Sequence, residues 1–427
     1  MTTNTPMLPR MRASRAWLAC LVLVPLAGCQ GDADPDGESP PSSASSRSGS
    51  PAGMDESLRD AALELVDARE QALVDGDKEA FLATIDPDGK DFAETQARWW
   101  DNVAQLPATD FALELGDEGV MTRVSGAGGL QLPIDFTMRL EGYDEEAVTQ
   151  PLIYTFVGDE DEVHLASDRN VQSDAFTGWV PAPWDVTAIT VEESDGVLGV
   201  FDDETKGDAE ELSLAVATAR DAIEPYLPAW SDRVVAYDIS DTDAIDTMSA
   251  LTVENTAGVA FPVLERPGSK KVAAYRFAVN PAHTDGDEER GLLFRHELVH
   301  VALGDLDDRS PTWLVEGSAE YVSVAAAYDE TARRRGLAEA FEGRAPRALA
   351  TGRDFYQRSP ALNYSLAHLA CDYLASTRGE DVLWELMRSF RRQEAYLPGD
   401  IEDLLQSELG LSSQEIVTDA LAWARSA

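Results

Sequence analysis

His296 and His300 stand four residues apart in the segment Arg295-His296-Glu297-Leu298-Val299-His300. On a helix, side chains at that spacing share a face, so both imidazoles can be aimed at one point. Zinc accepts imidazole and carboxylate ligands, and a zinc site that does chemistry holds three protein groups and keeps one position open. Glu297 is turned about 100° from His296, which sets its carboxylate beside such an ion, ready to take a proton from water. Zinc lowers the pKa of a water it holds to about 7. The third ligand must come from elsewhere. Glu316 follows the helix breaker Pro311, with fifteen residues between it and His300, enough chain for a turn and a return. Glu320 lies four further on, on the face of Glu316. It can accept the remaining ring N–H of a ligating histidine and so fix its tautomer. Either His296 or His300 can be that partner.

The elements that must hold these groups are readable around them. Residues 291–303 have helical character, and Gly304 is placed to end the helix. Leu292, Leu293, Phe294, Leu298, Val299 and Val301 crowd the histidines. The helix is therefore expected to be buried, and a buried His-Glu-His group needs a compensating partner. From about Gly317 onward the chain reads as mostly helical. Upstream, residues 189–191, 198–201, 234–239, 258–263 and 272–279 read as strands, and 209–227 as an amphipathic helix. The run Trp179-Val180-Pro181-Ala182-Pro183-Trp184 interrupts both periodicities and marks a boundary.

Before that boundary, helical spacing starts near Asp55, breaks at Gly76-Asp77, resumes at Ala80 and again over 96–106. The period then changes to two at Phe111/Leu113/Leu115, Leu130 to Leu140, Leu152/Tyr154/Phe156 and Val163-His164-Leu165. Helices followed by antiparallel strands predict an α+β layout. This order over 55–180 resembles the NTF2-like fold, a curved sheet wrapped around N-terminal helices. The resemblance implies a cavity and, in some members, small-ligand binding. No cluster of catalytic polar residues stands out here, so a structural or interaction role is expected, with His164 an ordinary strand histidine.

His-Glu-Leu-Val-His followed by Trp313-Leu314-Val315-Glu316-Gly317-Ser318-Ala319-Glu320-Tyr321 resembles the gluzincin metallopeptidases over 292–321, and more weakly over 181–427. The resemblance implies one zinc per chain on His296, His300 and Glu316, with Glu297 as general base and Glu320 behind a ligand histidine. It also implies a donor for the tetrahedral oxyanion; Tyr364 is the first choice, ahead of His368 and Tyr356. Residues 273–279 look like the edge strand that pairs with an extended substrate. The aminopeptidase members carry a Gly-x-Met-Glu-Asn segment. Here Gly258-Val259-Ala260-Phe261-Pro262 stands in that region without its glutamate, which points to an endopeptidase acting on a peptide or protein.

Composition sets outer bounds. The 427 residues carry 44% apolar and 8% aromatic content, enough for sizeable cores. A net charge of −44 argues against nucleic acid as a partner. Arg10, Arg12 and Arg15 precede an apolar run from Ala16 to Ala27 that is short for a membrane span. The run ends in Leu26-Ala27-Gly28-Cys29, which resembles the bacterial lipoprotein signal. That implies removal of 1–28, lipidation of Cys29, and a membrane-anchored, outward-facing protein. Residues 29–54, rich in Ser, Pro and Gly, read as a tether. Cys20 would leave with the leader, so Cys371 alone would remain, without a disulfide partner. Two rival readings are a zincin-like binding lipoprotein without turnover, and a ligand-binding protein working through its N-terminal domain.

Overall fold

The computed structural model describes residues 54–427 apart from 118–128, 170–173, 175, 229, 231, 232, 242, 245–256, 281–286, 307, 344–347 and 394–396. The expected leader, Cys29 and the tether up to residue 53 lie outside the described residues.

Helix α1 (Met54–Asp75) stops at Gly76, whose φ of +69° favours glycine. Asp77 then accepts a hydrogen bond from the Ala80 N–H at 3.0 Å and opens α2 (Lys78–Ala83). Helix α3 (Lys90–Val103) starts before the expected 96, because its polar first turn carries little apolar signal. Four strands follow: β1 (Ala108–Leu115), β2 (Leu130–Leu140), β3 (Val148–Gly158) and β4 (Val163–Ser167). They pair antiparallel in chain order, and the helices cover one face, with Phe81 stacked on Trp99 at 5.7 Å. The α+β expectation holds.

The second sheet contains β5 (Thr190–Ser194), β6 (Val197–Phe201), β7 (Val234–Asp238), β8 (Gly258–Leu264) and β9 (Val272–Val279), in the order β5-β6-β7-β9-β8. The β6-β7 and β7-β9 pairs are parallel; β5 and β8 run antiparallel at the two edges. Helices α5 (Ala209–Ile223) and α6 (Asp287–Leu303) pack on one face, where Phe277 meets Phe294 edge-on at 5.5 Å. A short α4 (Pro183–Val186) leads into this sheet. The expected edge strand over 273–279 is corrected here. That segment is β9, paired on both sides, and β8 is the edge beside α6. The sequence held one clue: Pro262 cannot donate to a ladder and is therefore tolerated at an edge. The N–H of Ala260 points away from β9, toward α6. Pro262, two residues on, has its nitrogen on that same outer side, so no ladder bond is lost.

The opposite face of the second sheet meets the first. Arg276 of β9 and Asp144, just after β2, form a buried ion pair at 2.5 Å, and the Leu140 N–H donates to the other Asp144 oxygen at 2.8 Å. Backbone bonds from Glu145 to Ala273 (2.9 Å) and from Thr149 to Glu265 (2.8 Å) close the same seam.

The remaining described chain is helical: α7 (Thr312–Ala325), α8 (Glu330–Ala340), α9 (Arg353–Gln357), α10 (Pro360–Arg378), α11 (Asp381–Gln393), α12 (Pro398–Leu409) and α13 (Ser413–Arg425). Helices α6 and α7 are joined by Ser323, whose hydroxyl donates to Leu292 O at 2.7 Å and whose carbonyl accepts from Arg295 Nε at 2.9 Å. Helix α10 lies very close to α7 at Gly317, where a Cβ would stand 2.5 Å from the Ala367 carbonyl oxygen. Among the described residues, no helix is long and apolar enough to cross a membrane.

Breaking one side of the buried seam pair leaves an uncompensated charge, which costs about 3–5 kcal/mol. Asp144→Ala is therefore expected to lower unfolding stability by that order in urea titration, far beyond the effect of Asp203→Ala in the exposed Lys206–Asp203 pair.

Candidate metal centre

Helix α6 presents His296 and His300 on one face, as their spacing requires, and both are buried. Glu316 sits in the second turn of α7, not at its start, because Pro311 caps a helix that begins at Thr312. The close approach at Gly317 and the Ser323 bonds bring α7 alongside α6 and α10. Glu316 is thereby carried to the two histidines and is fully buried. Its Oε2 lies 3.3 Å from His296 Nε2 and 3.7 Å from His300 Nε2, and the two Nε2 atoms are 3.3 Å apart. Tetrahedral ligation at about 2.0–2.1 Å separates ligand atoms by about 3.3–3.4 Å. The triangle therefore has the dimensions of one face of a zinc tetrahedron. Three lone-pair atoms converge in the buried interior, an arrangement that needs a cation or a proton among them. Among the described residues, no other set of three His, Cys, Asp or Glu side chains converges in this way.

Glu320 resolves the choice that the sequence left open. Its Oε1 lies 3.4 Å from His296 Nδ1, the ring nitrogen that faces away from the triangle. Tyr356, of α9, donates its hydroxyl to the other Glu316 oxygen at 2.7 Å. This role was not read from sequence, where Tyr356 was a minor oxyanion candidate. Its only signal was a tyrosine beside Phe355 in the otherwise polar stretch before α10.

Glu297 is fully buried beside the triangle and outside it. Its Oε2 accepts a hydrogen bond from the Ala260 N–H of edge strand β8 at 3.0 Å, and its Oε1 has no hydrogen-bond partner among the described residues. Burial holds its carboxyl above the usual range; the histidine charges and the Ala260 N–H act against this, and Glu316 acts with it. A carboxylate with one oxygen held and the other free, made more basic by its surroundings, is equipped to take a proton. The Ala260 donor was also invisible in the sequence, because a backbone N–H has no residue signature.

Burial opposes charge on His296, yet the hydrogen bonds to Glu316 and Glu320 prevail and raise its pKa to about 9. Glu316 is likewise opposed by burial, and its contacts with His296 and His300 bring it well below the usual carboxylate range. Without a metal, the group thus holds a proton on His296 against two carboxylates.

Tyr364, on α10, lies with its ring 6.3 Å from that of His296 and 4.9 Å from that of Phe355. Its hydroxyl is buried without a hydrogen-bond partner among the described residues. Burial, followed by the charges of Glu316, Tyr356, Glu320 and Glu297, keeps that hydroxyl protonated. His368, one turn on, lies 3.8 Å from Asp372, which is bound by Arg333 at 2.9 and 3.0 Å; burial keeps His368 neutral. Cys371 is buried and free, with its thiol raised by burial, so it is a packing residue. His164 is half-buried on β4, 3.7 Å from Glu162 and apart from this centre. Asp305 pairs with Arg391. No protein-family model and no curated protein matches this chain.

A ligating histidine must be neutral, while His296 carries a proton up to about pH 9 in the metal-free arrangement. Zinc binding at pH 7 is therefore expected to release about one proton, falling toward zero above pH 9. Calorimetric titration in buffers of different ionisation enthalpy measures this. Glu320→Gln removes the charge behind His296 and is expected to weaken zinc about 10–100-fold, read by chelator competition.

Proposed function

We propose that this protein is a zinc-dependent peptidase of the gluzincin kind, cutting within peptide or protein chains. The observation that carries the reading is the triangle of His296, His300 and Glu316 with Glu297 buried beside it. A bound zinc supplies Lewis acidity there, polarising a carbonyl and lowering the pKa of water to about 7. The chain's own residues account for the rest. Glu297, anchored through Oε2 to Ala260, takes the water's proton on Oε1 and delivers it to the leaving amine. Glu320 fixes the ring of His296, and Tyr356 fixes the carboxylate of Glu316. Tyr364 offers a protonated hydroxyl to the developing oxyanion.

Strand β8 supports the same reading. It is an edge strand with no further described strand on its outward side, as a strand that receives an extended peptide must be, and its Ala260 N–H touches the proposed base. The region lacks the glutamate of the aminopeptidase amine anchor, which favours an endopeptidase. We also propose that the N-terminal unit is an NTF2-like module, and that lipid on Cys29 holds the protein at the outer face of a cell membrane.

Purified protein and Glu297→Gln should both hold one zinc, and only the parent should cleave a peptide library, by a margin of at least 10²-fold. A parent that holds zinc and cleaves nothing contradicts the reading, as does a variant that cleaves equally well. Tyr364→Phe is expected to reduce kcat by about 10²–10³-fold with little change in KM, if its hydroxyl serves the transition state alone.

A further inference from the structure

The Tyr356 hydroxyl reaches Glu316 from α9, a helix of five residues. So short a helix does not hold its own shape, because nucleating a helix is unfavourable and only further turns offset it. Packing supplies little here. Arg353, Asp354 and Gln357 are exposed, and Phe355 is the one buried side chain of α9, its ring 4.9 Å from that of Tyr364. Yet the hydroxyl stands 2.7 Å from the carboxylate. The segment must be fixed on either side of the tyrosine.

Two polar side chains do this. Just before α9, the Gly352 N–H donates to the hydroxyl of Thr312, the first residue of the helix that carries Glu316, at 2.9 Å. At the far end of α9 the last carbonyls lack intrahelical donors. The Asn363 side-chain nitrogen donates to Phe355 O at 2.7 Å and to Arg358 O at 2.8 Å. Asn363 is buried in the first turn of α10, next to Tyr364. Asparagine is a weak helix former, and these bonds give it a reason to stand there.

The backbone shows the same constraint. Ser359, between Arg358 and Pro360, has φ +59° and ψ +55°. A non-glycine residue in the left-handed region is strained and persists only where its surroundings over-determine it. Asn363 closes this turn twice: its side chain holds Arg358 O, and its backbone N–H donates to Ser359 O at 3.1 Å. We propose that Asn363, with Thr312 at the other end, is a positioning residue for the metal centre. It pins α9 so that Tyr356 holds Glu316, and through Tyr356 it sets how tightly the triangle binds its ion. The inference rests on the metal-centre reading and not on peptidase activity.

Zinc affinity of the full chain, measured by chelator competition at pH 7, tests it. Tyr356→Phe takes the hydroxyl from Glu316 and is expected to weaken zinc about ten-fold or more. Asn363→Leu keeps the size of the side chain, removes both donors, and should also weaken zinc roughly ten-fold. Added to Tyr356→Phe, it should change affinity by less than about two-fold, because the hydroxyl it positions is gone. Added to Glu320→Gln, which acts on His296, it should keep its full effect. A general loosening of the fold would weaken zinc equally in both backgrounds. Thr312→Val is the milder variant and should weaken zinc about two- to ten-fold, again only while the Tyr356 hydroxyl is present.

The proposal is overturned if folded Asn363→Leu binds zinc like the parent, or if its loss is as large beside Tyr356→Phe as it is alone. An unchanged affinity in Tyr356→Phe overturns it as well. If Asn363→Leu does not fold, Thr312→Val decides by the same comparison. A parent that binds no zinc overturns the metal centre and this inference together; the other contrary outcomes overturn this inference alone.

Discussion

The constraint on which the centre depends is the convergence of three lone-pair atoms in a buried place. His296 Nε2, His300 Nε2 and Glu316 Oε2 lie within 3.7 Å of one another, and bare lone pairs at that distance repel. Such a cluster persists in a folded protein only if packing forces it and something positive compensates it. The packing is identifiable. Leu293, Phe294, Leu298 and Val299 bury α6 against its sheet and neighbouring helices. Gly317 lets α10 press on α7 where any side chain would collide with the Ala367 carbonyl. In the metal-free chain the compensating charge is a proton on His296, which zinc would replace.

Around that triangle the supporting groups divide by task. Glu320 holds His296 and Tyr356 holds Glu316, each by the atom turned away from the triangle, which fixes ring and carboxylate orientation. Glu297 is held differently, by a backbone N–H of the edge strand. Its position is tied to β8, and so to the second sheet's pairing with β9. The sheet edge and Glu297 form one unit. A peptide that paired with β8 would lie next to the carboxylate that the proposed reaction would use.

Much of this was legible in the residues themselves. Four-residue spacing predicted the shared face of His296 and His300, and the pair Glu316/Glu320 predicted one carboxylate brought to the histidines and a second behind one of them, as found. Period-two runs placed β2 at 130–140 as observed. What was not legible depended on three-dimensional neighbours. Both histidines were equal partners for Glu320 until the direction of each ring was known. Tyr356 lies forty residues from Glu316, and no local pattern links them. The strand at 273–279 reads as apolar but for Arg276, and its central place follows from pairing that sequence does not display. Arg276 is the sharpest case. In the sequence it is one charge interrupting an apolar strand; in the fold it joins the two sheets.

X-ray absorption at the zinc edge of the purified, zinc-loaded protein tests the central claim most directly. The account predicts one zinc per chain with imidazole nitrogen and carboxylate oxygen ligands at about 2.0–2.1 Å and no sulfur, and loss of that signal in His300→Ala. A sulfur ligand at about 2.3 Å, or a zinc environment unchanged by His300→Ala, would contradict it.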